Sequence, residues 1–187
     1  MHHIRLVAFD VLHTIITPRQ PIYEQYSQIF TPYVGILPPE SIKEAFKAAM
    51  RHVQREKPVY GGDTKQWWGD VIRRTALGAG AREADVEQNL AEIIDKLMLR
   101  FSSREGYKAF EDAIPTIQRL HQMGLKTIVI SNGDIRFKPI VLSEAVGAEK
   151  PSKQIFQSAL NAVNLHLNPG ENVFQAKECL HIGDELT

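Results

Sequence analysis

The sequence has one cysteine, Cys179, among 187 residues. A single thiol excludes an intramolecular disulfide and suits a reducing compartment. No apolar run approaches the ~18 residues of a membrane-spanning helix. The N-terminus "MHHIRLVAFD" reaches an acid after too short an apolar stretch for a signal peptide. These lacks predict a soluble, intracellular protein, in the cytoplasm or the nucleus. An excess of charge is also missing, since 22 lysines and arginines balance 22 aspartates and glutamates. No net field therefore draws nucleic acid or an anionic membrane, and a small-molecule substrate is the expected partner. The oligomeric state is not legible. What is present is an ordinary globular composition, 43% hydrophobic and 24% charged, in a chain long enough for one domain with an insertion.

"IRLVAF" is a short, nearly continuous apolar run, as expected of a strand buried on both faces in a parallel sheet. After it, Pro18 and Pro21 break the pattern. From Ile22 to Phe101 the signals are helical and strand alternation is absent. "IYEQYSQIFTPYV", "PPESIKEAFKAAMRHV", "TKQWWGDVIRRTAL" and "DVEQNLAEIIDKLMLRF" are four candidate helices. The second carries Ile42, Ala45, Phe46, Ala49 and Val53 at helical spacing, the fourth Val86, Leu90, Ile93, Leu97 and Phe101. The spacing predicts a helical subdomain over 18–107, inserted into a core made of 1–17 and 108–187.

At "AIPTIQRLHQMGLKTIVISNGD" the pattern becomes helix, Gly124 stop, then a buried strand over Thr127 to Ile130. A third strand is expected at Ile140 to Leu142. A helix follows in "PSKQIFQSALNAVNL", then a fourth strand in "ECLHIGD". This is α/β grammar, a Rossmann-like parallel sheet with an α-helical insertion. Two features do not fit it. Only about eight residues link Ser131 to Pro139, whereas a parallel crossover takes a dozen or more. The chain also stops soon after Asp184 with no helix to cover the last strand. An internal deletion and a truncated C-terminus are expected.

In open α/β sheets ligands sit outside the carboxyl ends of the strands. Asp10, Ser131 with Asn132, and Asp184 all fall at that edge. A carboxylate held beside a cation attacks phosphorus or an activated carbon to form a covalent ester, and Asp10 fits that role. Asp184 is a second acid able to share a Mg²⁺ with it, and the backbone carbonyl of Leu12 is a further oxygen ligand. Ser131 and neighbouring amides suit phosphate oxygens, and Lys150 can balance the charge of nucleophile and substrate.

The ordered set "FDVLHT", "VISNGD", "GAEKPSKQIF" and "HIGD" resembles the haloacid dehalogenase superfamily. The resemblance implies a nucleophile at Asp10 with Thr14 beside it, phosphate binding at Ser131 and Asn132, Lys150 as the third motif, and Asp184 as the Mg²⁺ acid. The helical insertion is similar to that superfamily's first type of cap. One departure is plain. The superfamily's phosphatases carry an Asp two residues after the nucleophile, as the acid that protonates the leaving alcohol, and here that position is Leu12. Its dehalogenases lack this Asp as well, because halide leaves without a proton. The resemblance thus implies a Mg²⁺-dependent, phosphatase-type hydrolase of a small phosphorylated metabolite. The alternatives are a metal-independent 2-haloacid dehalogenase-like enzyme and a catalytically inactive binding protein with the same fold.

Each residue also has a plainer reading. Asp10 can cap a turn, Thr14 can bond backbone, Ser131 and Asn132 can form a strand-end turn, and Lys150 can be solvated. His13 can donate a proton in place of the missing acid or simply face solvent. His181 reads as a core histidine, Cys179 as a buried apolar residue, and Trp67 and Trp68 as packing within the helical insertion.

Overall fold

The computed structural model describes residues 3–133 and 141–184. The chain divides into two compact units, one formed by Met1–Thr17 with Ala109–Thr187 and the other by Pro18–Lys108.

The first unit is built on a four-stranded sheet. β1 is Leu6–Phe9, β4 is Lys126–Ser131, β5 is Val141–Leu142 and β6 is Cys179–Ile182. Their spatial order is β5-β4-β1-β6. β1 is central and parallel to both neighbours, with Phe9 opposite Val129 on one side and Ile182 on the other. All four β1 residues are buried, which is why "LVAF" reads as an unbroken apolar run rather than an alternation. Ala8 and Ile130 pack on Ile155 and Ala159 of a helix over Lys153–Leu165, in which Ser152 accepts the Gln154 amide at its start.

β4 and β5 pair in parallel, Ile130 with Val141 and Ser131 with Leu142. The link joining them is shorter than the dozen residues a parallel crossover ordinarily takes. Residues 134–140 of that link, with the expected start of the strand at Ile140, lie outside the described residues, as do 185–187. The Lys126–Ser131 strand is preceded by α5, Ala113–Gln122. Gly124 follows that helix with φ +78°, and the Leu125 amide returns to the Leu120 carbonyl at 3.0 Å.

The second unit is helical. α1 is Ile22–Val34, α2 Pro39–Glu56, α3 Thr64–Gly78 and α4 Glu83–Arg100. Each begins where sequence chemistry allows it. Pro38 and Pro39 open α2 with a preset φ, and Asp63 caps α3 by accepting the Gln66 amide. The apolar stripes close on one another around Tyr26, Phe30, Ile42, Ile72, Val86, Ile93 and Leu97. Trp67 lies in a neighbouring cluster with Val71, Ala49 and Val53, and its indole N–H donates to the Lys57 carbonyl at 2.9 Å. β2 (Ile16–Pro18) and β3 (Tyr107–Ala109) pair as a two-stranded sheet. Three-residue strands are too short to show a period of two, so the sequence gives no sign of them. Among the described residues no helix is long and apolar enough to cross a membrane.

The last strand departs from the sequence reading. A buried β6 was expected, but Leu180 and Ile182 are exposed and Cys179 is partly so. Among the described strands β6 has only β1 as a neighbour, so one edge and part of each face stay open.

Candidate active site

Asp10 directly follows β1 and accepts two donors on one oxygen. The Val11 amide lies 2.7 Å from Oδ1 and the Lys150 ammonium 2.6 Å from the same atom. Both side chains are largely withdrawn from water, Asp10 at 17% exposure and Lys150 at 9%. The backbone of Asp10 is anchored too, its amide donating to the Ile182 carbonyl at 2.8 Å. Sheet pairing thus fixes where the carboxylate starts, and Lys150 fixes where it points.

Lys150 comes from the loop before the Lys153–Leu165 helix, and Asn132 holds it there. The Lys150 amide donates to Asn132 Oδ1 at 2.6 Å, and Asn132 Nδ2 donates back to the Lys150 carbonyl at 3.2 Å. This closed pair ties the loop to the end of β4. The carboxamide expected to bind phosphate is therefore engaged on the lysine's backbone. Ser131, next to it, is 8% exposed at the same strand end.

A cavity of about 240 Å³ opens at this edge of the sheet. Its walls include Asp10, Leu12, Ser131, Asn132, Lys150 and Asp184, so six residues from four separate stretches of sequence meet there. Thr14 is not among them. It is half-buried in the loop after Asp10, its amide donating to the Val11 carbonyl at 3.3 Å.

Pro151, Phe156 and His181 also line the cavity without having been foreseen as part of a site, and so does Gly183 of the "HIGD" motif. His181 is exposed, not a core residue, because it lies on the open edge strand; its ring meets Phe156 edge-on at 5.2 Å. Partial burial and the nearby Lys150 charge hold its imidazole below the ordinary histidine pKa, against an opposing pull from Asp10. A side chain at Gly183 would meet His181 Cε1 at 3.3 Å and Asp10 Cβ at 3.5 Å, so glycine gives the chain its close passage past Asp10. The sequence held one usable signal, a histidine two residues before "GD" on a strand whose end forms the site.

The loop after β1 contains a left-handed residue, His13, with φ +61°. The Val11 carbonyl accepts the amides of Ile15 and Ile16 at 2.8 and 3.0 Å, and the His13 amide donates to the Ile16 carbonyl at 2.7 Å. These bonds turn the chain back on itself just after Asp10.

The oxygen donors suit a hard cation. Were a hard cation bound here, the Asp10 and Asp184 carboxylates and the Leu12 backbone carbonyl would be the oxygens to hold it, a mixture Mg²⁺ takes when it keeps waters and a substrate phosphate in its other positions. Among the described residues there is no cluster of three or more His, Cys, Asp or Glu of the kind that would build an all-protein metal cage.

A family model described as haloacid dehalogenase-like hydrolase matches residues 4–187. The chain belongs to that family. It is similar to the haloacid dehalogenase-like hydrolase domain-containing protein 3 of mouse, 32% identical over 173 residues covering 83% of this chain and 68% of the relative. The human protein of the same name is 31% identical over 183 residues, 89% of this chain and 71% of its own. Among solved structures, a HAD-hydrolase from Bacillus subtilis bound to magnesium superposes with a TM-score of 0.65 at 22% identity, covering 98% of this chain and 81% of that one. A 2-haloacid dehalogenase from Pseudomonas syringae pv. Tomato gives 0.61 at 20% identity, covering 97% of this chain and 78% of that one. At such identities the two structures show a common fold.

Proposed function

We propose that the chain is a Mg²⁺-dependent hydrolase that removes the phosphoryl group of a small metabolite through a covalent intermediate on Asp10. The observation that carries this reading is the 2.6 Å contact between Lys150 and Asp10 in the wall of a cavity shared with Ser131 and Asp184. Asp10 is the nucleophile. Its Oδ1 is occupied by the Val11 amide and Lys150, and among the described residues no hydrogen bond engages Oδ2, the oxygen free to attack. Lys150 orients the carboxylate and offsets the charge that gathers when an anionic ester approaches it. Ser131 donates to the phosphoryl oxygens, and Asn132 acts through Lys150 by fixing its backbone. Thr14 secures the loop rather than touching the phosphate. Asp10, Asp184 and the Leu12 carbonyl would hold the Mg²⁺, which when bound supplies positive charge to the phosphoryl oxygens. The helical unit, 18–108, serves as a cap that selects the substrate.

Leu12 sets the limit of the activity. A general acid contributes ~10²- to 10⁴-fold in rate, or about 3 to 5 kcal/mol at ~1.4 kcal/mol per decade. Leu12 has no proton to give, so esters with good leaving groups are the favoured substrates. The test is phosphate release from acyl, aryl and alkyl phosphates with Mg²⁺. Release should fall in that order, cease with chelator, and be abolished by Asp10→Asn. Equal release from wild type and Asp10→Asn rejects the reading. Halide release from 2-haloacids without added metal replaces it with dehalogenation.

A further inference from the structure

We infer that His13 is the residue that contacts the leaving-group oxygen of the substrate, donating a hydrogen bond to it as the bond to phosphorus breaks. The inference rests on the phosphatase reading above and names the group that the Leu12 position lacks.

Three observations converge on His13. It lines the cavity together with Asp10, Lys150 and Asp184, and its side chain is exposed there rather than packed into the fold. Its backbone is left-handed, φ +61°, in a loop closed by hydrogen bonds from the His13 amide to the Ile16 carbonyl and from the Ile15 and Ile16 amides to the Val11 carbonyl. Such a φ favours glycine, and strained backbone tends to mark functional sites. Among the described residues only Val59 and Tyr60 share this property without being glycine, and neither lines this cavity. Finally, no hydrogen bond to a described residue occupies the imidazole, so its donor is available to a ligand. Histidine is among the few non-glycine residues this φ accommodates, so the turn alone does not dictate which side chain stands there. This chain keeps an imidazole at the turn, where it faces the cavity that holds Asp10.

In the first step an Asp10 oxygen forms a bond to phosphorus and the bond from phosphorus to the leaving oxygen breaks, its electron pair staying on that oxygen. The imidazole N–H donates to this oxygen as its charge grows, and the departing oxygen takes its proton from water. Water then attacks phosphorus, the bond between Asp10 and phosphorus breaks, and phosphate leaves with the Asp10 carboxylate restored. A donor placed where charge develops stabilises the transition state more than the ground state. The benefit is largest for alcohols that hold the negative charge poorly. His13 therefore determines which esters are turned over, extending the range beyond what Leu12 alone permits.

The experiment compares wild type, His13→Gly and His13→Asn across esters from p-nitrophenyl through phenyl to simple alkyl phosphates, with inorganic phosphate as competitive inhibitor. Glycine and asparagine both accept the left-handed φ, so each variant removes the imidazole without adding strain. His13→Gly should lose about 10²-fold in kcat/KM on the alkyl esters, the scale of a deleted transition-state donor, and little on p-nitrophenyl phosphate. Loss should appear in kcat rather than KM, and inhibition by inorganic phosphate should be unchanged because it has no leaving group. His13→Asn should follow the same trend less steeply. A uniform loss over all esters, or none, in an enzyme still abolished by Asp10→Asn overturns the role of His13 alone. Ester hydrolysis that survives Asp10→Asn overturns both readings.

Discussion

Asp10 and Lys150 form a pair with side-chain exposures of 17% and 9%, so each is expensive to leave alone. Lys150→Met should cost about 3 kcal/mol in urea denaturation, the low end for breaking a buried pair because Asp10 keeps some exposure, since the carboxylate then stays largely withdrawn from water without its cation. Adding Asp10→Asn to that variant should recover part of the loss, a coupling that a double-mutant cycle measures. His181 gives a pH dependence whose sign is fixed. Its folded-state pKa lies below the ordinary value, so between the two the unfolded chain binds more protons and stability falls as pH drops through the ordinary value near 6.5. A thermal-melt series from pH 7.5 to 5 should show a shallower decline in His181→Gln than in wild type. At this scale the meeting of Asp10 and Asp184 at one cavity was legible because both acids follow strands, whereas Lys150, on a loop, was reached only through the ordered motifs. His181 was misread because its strand was taken as buried, and no single sequence shows which strand lies at an edge. Asn132 shows a second limit, since only the fold reveals that its carboxamide is committed to the backbone of Lys150.

Among elements, the long helices were the most readable. The four helical segments of the sequence correspond to α1 through α4 because apolar stripes at Ile42, Ala49 and Val53, or Val86, Ile93 and Leu97, persist for several turns. The short strands β2 and β3 left no such trace. Close backbone approaches are equally silent in sequence, and Gly106 is the clearest case. A Cβ there would sit 2.5 Å from the Arg100 carbonyl oxygen. The segment cannot easily move away, since the Gly106 carbonyl accepts the Arg19 amide at 2.9 Å and the Gln25 side chain at 3.1 Å. Gly106→Ala should therefore destabilise by about 1 to 3 kcal/mol, the usual cost of overpacking. Chemical denaturation measures it, and an unchanged midpoint would show that the turn yields.

For the molecule as a whole, the parallel order β5-β4-β1-β6 brings Asp10, Ser131, Lys150 and Asp184 to one cavity although up to 174 positions separate them in sequence. Alternation of apolar strands with a helix indicated such a sheet, and the rule that ligands lie at the carboxyl ends of strands indicated the edge. The spatial order of the strands, and hence the open side of β6, was out of reach because periodicity reports which face of a strand is buried but not which strand is its neighbour. The central claim is that Asp10 becomes covalently phosphorylated during turnover. Rapid acid quench of the protein with an acyl phosphate and Mg²⁺, followed by peptide mass mapping, tests it most directly. The account predicts a hydroxylamine-labile phosphoryl group on the peptide containing Asp10, absent in Asp10→Asn. Phosphate released at the wild-type rate with no such adduct on Asp10 would contradict it.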